Sequence, residues 1–496
     1  MSTAQANTGY AADSATVCVD AVVVGGGIGG LTAARALSQQ GRSVLVLEAT
    51  DVAGGPLRAG RFAALDVPFD IGVESFATRG VAVSELVDEL GLAAVPPASA
   101  PAWGYSAGRT FPLPADCLLG IPARPLAADV RRAVGLIGAA RAQIDRWLPR
   151  SVGDPTSLGS LVRTRMGRGV ANRLVNLIAG GIHSASIDHL SPEIVAPGLV
   201  EAFQREGSLA RAVAAVKTQG PNRAAGSTTT SAAKPATPPS PRPMVHGVEG
   251  GIFRIVERLV EDLDAAAGGP GQSVRCEQRV IAIERGSHNS EAAYWTVTTD
   301  AGLVVEAATL VAATSEVAPL LTEFVGTEAP TTTPGAPIAL VALLLDAPEL
   351  ATAPRGTGML ISPDGRQRVM AKAMTHLTAK WPWLDAAIAQ AGRPGLQIVR
   401  LSYGSLDGEP IQPDLAMATA DTQHLLGVDL NGRVLDHLVQ RWDGSLPPPT
   451  PAYRKALSDY LAHVEQVGSL HVVGGWIAGT GLAAIIKHAR EAVCPQ

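Results

Sequence analysis

Glycines 25, 27 and 30 stand between an apolar run, Cys18–Val24, and a helical stretch that runs to about Gln40, with Gly41 as its stop. This Gly-x-Gly-x-x-Gly spacing lets the chain turn tightly, bring its backbone against a pyrophosphate, and start a helix close to the strand it has just left. The helix then offers the partial positive charge of its N-terminus to the phosphates. A second strand, Val44–Leu47, ends at Glu48. A carboxylate there accepts from ribose hydroxyls and repels a 2′-phosphate. Strand, glycine turn, helix, strand and acid together read as a grip for a dinucleotide.

Two further glycine groups narrow the cofactor. Gly54-Gly55 follows Glu48 closely, and a second turn, Gly474 to Gly481 with Gly479-Thr480-Gly481 at its end, opens a helix from Leu482. A nicotinamide nucleotide has no use for a terminal segment that returns to it. A flavin dinucleotide does, because its isoalloxazine lies far from its adenine, so the expected cofactor is FAD.

The elements that must position these residues form an α/β chain. Further strands are expected at Arg279–Ile283, Tyr294–Thr298, Leu303–Val305, Leu310–Ala313, Ile338–Leu345, Val369–Met374 and Leu396–Tyr403. Helices are expected at Val83–Leu90, across 126–218, and after Gly250-Gly251, where Ile252, Ile255, Leu259 and Leu263 recur at helical spacing. Residues 94–125 show no clear element. Gln219–Pro243 has six prolines, seven Ser/Thr, no acid and no aliphatic side chain larger than alanine, which predicts a disordered loop. The organisation expected is a loose tail (1–16), a discontinuous Rossmann-like FAD-binding domain (17–80, 244–324, 441–494), a mainly helical region (81–218) and a strand-rich substrate-binding region (325–440).

Composition excludes some classes. The chain of 496 residues carries a net charge of −5, which disfavours nucleic acid. Its four cysteines are far apart and share no His spacing, so neither a metal site nor a disulfide framework is expected. The first basic residue is Arg35 and no apolar run approaches a membrane span, so a cytoplasmic location is expected. One stretch departs from the acidic average. Residues 126–175 hold nine arginines against three aspartates, interleaved with apolar residues at helical spacing, a pattern that suits an anionic membrane surface or a polycarboxylate.

With these residues in view, the chain resembles the amine oxidase/protoporphyrinogen oxidase flavoprotein superfamily, and within it the actinobacterial, coproporphyrin-forming coproporphyrinogen III oxidases. The resemblance runs over residues 18–494. It is carried by FDIGVESFATRG (69–80), FPLPADCLLGIP (111–122), LIAGGIHSASIDHLSP (177–192), GVEGGIFRIVERL (247–259), VMAKAMT (369–375), RLSYGSLDGEP (400–410) and VVGGWIAGTGLAAII (472–486). The glycine motifs mark the superfamily, and the middle stretches point to porphyrinogen oxidation. The chain differs from the family pattern at Val52, Pro56, Pro448, Pro449, Ala452, Tyr453 and His183.

The resemblance implies a set of site residues. Gly25, Gly26, Gly27, Ile28, Gly29 and Gly30 would hold the pyrophosphate, and Glu48 the ribose. Gly54, Gly55, Gly72, Val73, Glu74 and Ser75 would approach the flavin. Val280 would offer its backbone to the adenine, and Trp442, Gly479, Thr480, Gly481 and Leu482 would close over the isoalloxazine. No side-chain base is implied, because the redox chemistry belongs to the flavin. Removing a hydride from an sp³ bridge and a proton from a pyrrole makes one conjugated bridge. Three such steps give the porphyrin, with three O₂ reduced to peroxide. Four propionates call for cations, for which Lys372, Arg79, His376 and Lys380 are candidates, with His183 as a lining residue. The implied partners are a porphyrinogen, O₂, a membrane touched peripherally and a ferrochelatase that receives the product. Protoporphyrinogen IX oxidation, amine oxidation or carotenoid desaturation, and non-catalytic binding on the GDP-dissociation-inhibitor-like fold stay open as alternatives.

Overall fold

The computed structural model describes residues 16–494 except 79, 184–185, 220–243, 288–292, 331–334, 336, 366–367, 405–409, 443–450 and 480. Nearly all of the expected tail and disordered loop therefore lie outside the described residues.

The first sheet grows from β1, Val17–Val24, whose second half is wholly buried. Such a continuous apolar run belongs in the interior of a parallel sheet. β1 pairs in parallel with β2, Val44–Leu47, and on its other side with Val304–Ala312, so that Val22 stands opposite both Leu45 and Leu310. Val274–Arg275 extends the sheet beyond β2, and Leu470–Val472 extends it beyond Leu310–Ala312. The sheet thus draws on the beginning, middle and end of the chain. The helices α1 (Ile28–Ser38), Arg254–Ala266 and Leu482–Val493 pack one face of it. Ala318–Val325 and Pro451–Val467 pack the other, together with Trp295 and Val297 of the antiparallel meander Val280–Ser287, Ala293–Thr299.

A second sheet of seven strands runs in the order 434–442, 338–346, 396–403, 373–376, 358–361, 103–106, 109–112. All its pairs are antiparallel except Gly358–Ile361 with Trp103–Ser106. A helical region, including Ala128–Gln143, Leu158–Met166, Leu199–Glu206 and Leu209–Gln219, has its own apolar core.

Three local expectations are corrected. Residues 94–125 carry short strands, Trp103–Ser106 and Arg109–Pro112 among them, because they pair with a partner some 250 positions away rather than through a local pattern. Leu303–Val305 and Leu310–Ala313 are parts of one strand, Val304–Ala312, which changes partners along its length. Val369–Met374 is not a strand. The Asp421 carboxylate accepts from the N–H groups of Met370 and Ala371 (3.1 and 2.9 Å), and regular pairing begins only at Ala373. Within the basic stretch one arginine turns inward. Arg165 is fully buried, its Nε 2.7 Å from Asp145, and it also donates to the Pro149 and Gly207 carbonyls.

Candidate active site

The glycine turn closes on itself and on three other segments. Gly25 takes φ +106°, a value open to glycine alone at little cost, and its N–H donates to the Leu47 carbonyl at 2.8 Å. A Cβ on Gly30 would run into the Gly25 carbonyl oxygen, and one on Gly29 would lie 2.8 Å from Gly474 Cα. The first glycine turn therefore touches the last. Gly54 donates to the Gly26 carbonyl at 2.8 Å and bridges to Gly27, which brings in the middle pair.

Glu48 ties this assembly together. Its Oε2 accepts from Gly26 N–H at 2.8 Å, and its Oε1 accepts from the N–H and hydroxyl of Thr50 at 2.9 and 2.7 Å. Oε1 is thereby saturated, and Oε2 keeps a further lone pair for a ribose hydroxyl. The fit of a dinucleotide is tested by what the glycines face. A Cβ at Gly27, Gly55, Gly479 or Gly481 would meet nothing within 4 Å. Four glycines from three segments thus border open space where their backbones are bare, and this is the cradle a pyrophosphate and flavin need. Leu482 opens the tail helix just behind them. Val280 starts the meander at a bulge opposite Thr299.

The chain continues from Gly55 through Pro56 to a second cluster. Val73 N–H donates to the Pro56 carbonyl at 2.9 Å, and a Cβ on Gly72 would collide with that carbonyl and lie 3.0 Å from the Trp442 ring. Beside them Glu74 is buried between Lys380 (2.7 Å) and Arg400 (3.3 Å). Burial pushes the Glu74 carboxyl up, but Lys380 and Arg400 together outweigh it and hold the group below its ordinary range. Arg400 also donates to the carbonyls of Asp70 and Gly72. Asp70 accepts from the N–H groups of Ile252 and Phe253 (3.0 and 3.1 Å). Burial raises its pKa to about 7 against those two bonds, with Glu74 adding to the rise and Arg400 opposing it.

Among the described residues, the candidate cations have different surroundings. Lys380 is paired with Glu74. His376 is buried, with its Nε2 2.9 Å from Gln397 Oε1. Burial pushes its pKa down more than the Gln397 bond lifts it, so it is a neutral core histidine and not a cation. Lys372 is buried, and its N–H donates to the Ser402 carbonyl at 2.7 Å. Arg79 and Thr480 lie outside the described residues, as do Pro448 and Pro449 and the side chains of His183 and Ala452. Sequence marks neither Asp70 nor Asp421 as a site residue, and it reads Arg400 only as a sheet residue. Asp70 and Arg400 lie within the resembling stretches 69–80 and 400–410, whereas Asp421 stands among polar neighbours.

Fold and cradle together define a dinucleotide-binding flavoprotein. A model of the flavin containing amine oxidoreductase family matches residues 28–333, and the chain belongs to that family, with FAD as its cofactor. The chain is 34% identical over 184 residues to a coproporphyrinogen III oxidase of Propionibacterium freudenreichii, covering 36% of this chain and 34% of the relative. It is 28% identical over 193 residues to the coproporphyrinogen III oxidase of Staphylococcus aureus, covering 38% and 41%. The matched region thus spans about a third to two fifths of each curated relative. Among solved structures, one from Exiguobacterium sp. 255-15 assigned as a protoporphyrinogen oxidase superposes with TM-score 0.73 at 19% identity, covering 97% of this chain and 98% of its own, a likeness of fold.

Proposed function

We propose that this flavoprotein oxidises coproporphyrinogen III to coproporphyrin III with O₂, releasing peroxide. The observation that carries the reading is the 184-residue match to a coproporphyrinogen III oxidase, at 34% identity. When bound, the flavin supplies the two-electron acceptor and passes the electrons to O₂.

The chain's own residues bind and orient. Gly25–Gly30 cradle the pyrophosphate and Glu48 holds the ribose. Gly54, Gly55 and Gly72–Ser75 shape the flavin cleft, Val280 meets the adenine, and Trp442 and Gly479–Leu482 cover the ring system. Lys372 and Arg79 meet propionates. Lys380 acts through Glu74, fixing the loop after Gly72 against the second sheet. The substrate lies between the segments 81–218 and 325–440 on one side and the cofactor cleft on the other. The setting is cytoplasmic, with peripheral contact to a membrane and delivery of the porphyrin to a ferrochelatase.

The test is turnover by purified holoenzyme. Coproporphyrinogen III in air is expected to give porphyrin fluorescence and peroxide, faster than protoporphyrinogen IX does. Peroxide from a primary amine and none from either porphyrinogen would overturn the reading. Lys372→Glu is expected to weaken coproporphyrinogen use with flavin content unchanged, whereas equal loss of both would remove Lys372 from the substrate site.

A further inference from the structure

Residues 130–187 carry nine arginines against two acids, Asp145 and Asp154, in a protein whose net charge is −5. Asp145 is taken up by the buried Arg165, and Arg163 pairs with Asp188. Among the described residues the other seven arginines have no carboxylate partner. Arg131, Arg132 and Arg168 are exposed and Arg173 is half-buried. A strongly positive region thus stands on a negative molecule.

This region borders the way to the cofactor cleft. A Cβ on Gly169 would lie 3.7 Å from Gly138 Cα, so the turn at Arg168 rests on the helix Ala128–Gln143. From Arg173 the chain runs into the helix Asn176–His183, which lies on the second sheet. A Cβ on Gly104 would stand 2.7 Å from Leu177, and one on Gly181 would stand 3.6 Å from Leu360. Leu360 is in register with Ala373, and Ala373 with Ser402. These three are half-buried, whereas Met359, Met374 and Leu401, which alternate with them, are buried. Arg400, on the same face as Ser402, donates to the Gly72 carbonyl of the cofactor loop. One sheet face therefore leads from the arginine-bearing helices to the cleft.

We infer that the unpaired arginines of 131–173 form an electrostatic funnel, which draws a tetracarboxylate porphyrinogen to the cleft and favours it over one with two carboxylates. The inference rests on the oxidation reading above and names what sets its substrate preference. Propionates are ionised at neutral pH, so coproporphyrinogen arrives as a tetra-anion. A protein of net charge −5 repels it on average, and attraction has to come from a local field. The arginines act without contact, over the roughly 8–10 Å that salt leaves unscreened at physiological ionic strength.

The test is stopped-flow association of the full-length holoenzyme with coproporphyrin III, the stable oxidised tetracarboxylate. Quenching of porphyrin fluorescence is followed in lipid-free buffer over a series of salt concentrations. Wild type is expected to associate more slowly as salt rises, and protoporphyrin IX, with two carboxylates, to show a shallower dependence. The net charge alone predicts the opposite sign for both. The variant Arg131→Gln/Arg132→Gln/Arg168→Gln is expected to associate roughly tenfold more slowly at low salt, with flavin content, Tm and dissociation rate unchanged. The control Arg258→Gln/Lys455→Gln/Lys487→Gln removes as many exposed cations from helices of the FAD-binding domain and is expected to behave as wild type. Association of wild type that quickens with salt overturns the funnel, as does an Arg131/Arg132/Arg168 variant no slower than the control. Turnover on the same samples judges the oxidation reading separately. Steered association without peroxide from either porphyrinogen supports the funnel and overturns that reading, and no association with either porphyrin overturns both.

Discussion

Lys380 Nζ lies 2.7 Å from Glu74 Oε1, a contact between residues 306 positions apart, and Arg400 faces the same carboxylate from 3.3 Å. This pairing joins the second sheet to the loop that follows Gly72, and so to the cofactor cleft. One buried carboxylate serves two partly buried cations, so the three groups respond unequally to deletion.

Glu74→Gln leaves two partly buried cations without their counter-ion, and the variant is expected to lose about 3 kcal/mol of stability. Lys380→Met leaves Arg400 on Glu74 and is expected to lose less. Urea unfolding of the two variants beside wild type checks the order. A Lys380→Met loss larger than that of Glu74→Gln would show that Glu74 is not the hub.

The glycine cradle separates folding from cofactor binding. Gly27 has a φ of −69°, and an added Cβ meets nothing within 4 Å, so Gly27→Ala is expected to fold as wild type yet purify with little or no FAD. At Gly30 the Cβ meets the Gly25 carbonyl, so Gly30→Ala is expected to lose both FAD and thermal stability. Flavin absorbance per protein and the Tm of the stripped apoproteins distinguish the two.

Sequence reveals structure here in proportion to how local the cause is. β1, the glycine turn and α1 are legible because strand, turn and helix follow one another within about 20 residues and each obeys its own period. The Glu74–Lys380–Arg400 cluster leaves no such trace, since its members come together only when two sheets meet. Lys372 shows the same limit from the other side. Its apolar neighbours read as a strand, but Asp421, on the helix Leu415–Leu426, takes the N–H groups that a strand would have paired. His376 reads as a cation by type, and only its burial beside Gln397 identifies it as a neutral core residue.

In the helical region, Arg165 is fully buried on Asp145, which also accepts from Ser208 Oγ at 2.7 Å and from Ala210 N–H at 3.0 Å. Arg165→Met strands that carboxylate and the five carbonyls, of Asp145, Leu148, Pro149, Val152 and Gly207, that accept from Arg165, and is expected to cost about 3–5 kcal/mol. Thermal unfolding checks it. A Tm equal to wild type would contradict the pairing.

Asp70 sets a pH dependence of its own. Its pKa rises from an ordinary 3.8 to about 7 in the folded protein, so the native state keeps a proton that the unfolded chain releases. Its contribution to stability is therefore complete below pH 3.8, falls as pH rises toward 7 and is level above that. Carboxylates whose pKa is lowered, such as Glu74, act in the opposite sense. The stability of wild type minus that of Asp70→Asn is expected to decline across this range, and a difference that rises or stays flat would contradict it.

The most direct measurement is anaerobic reduction of the bound flavin. Holoenzyme mixed with coproporphyrinogen III without O₂ is expected to lose its visible flavin absorbance as porphyrin forms, and to regain it with peroxide when air is admitted. Flavin that stays oxidised with coproporphyrinogen III but bleaches with a primary amine, or purified protein that takes up no FAD, would contradict the assignment.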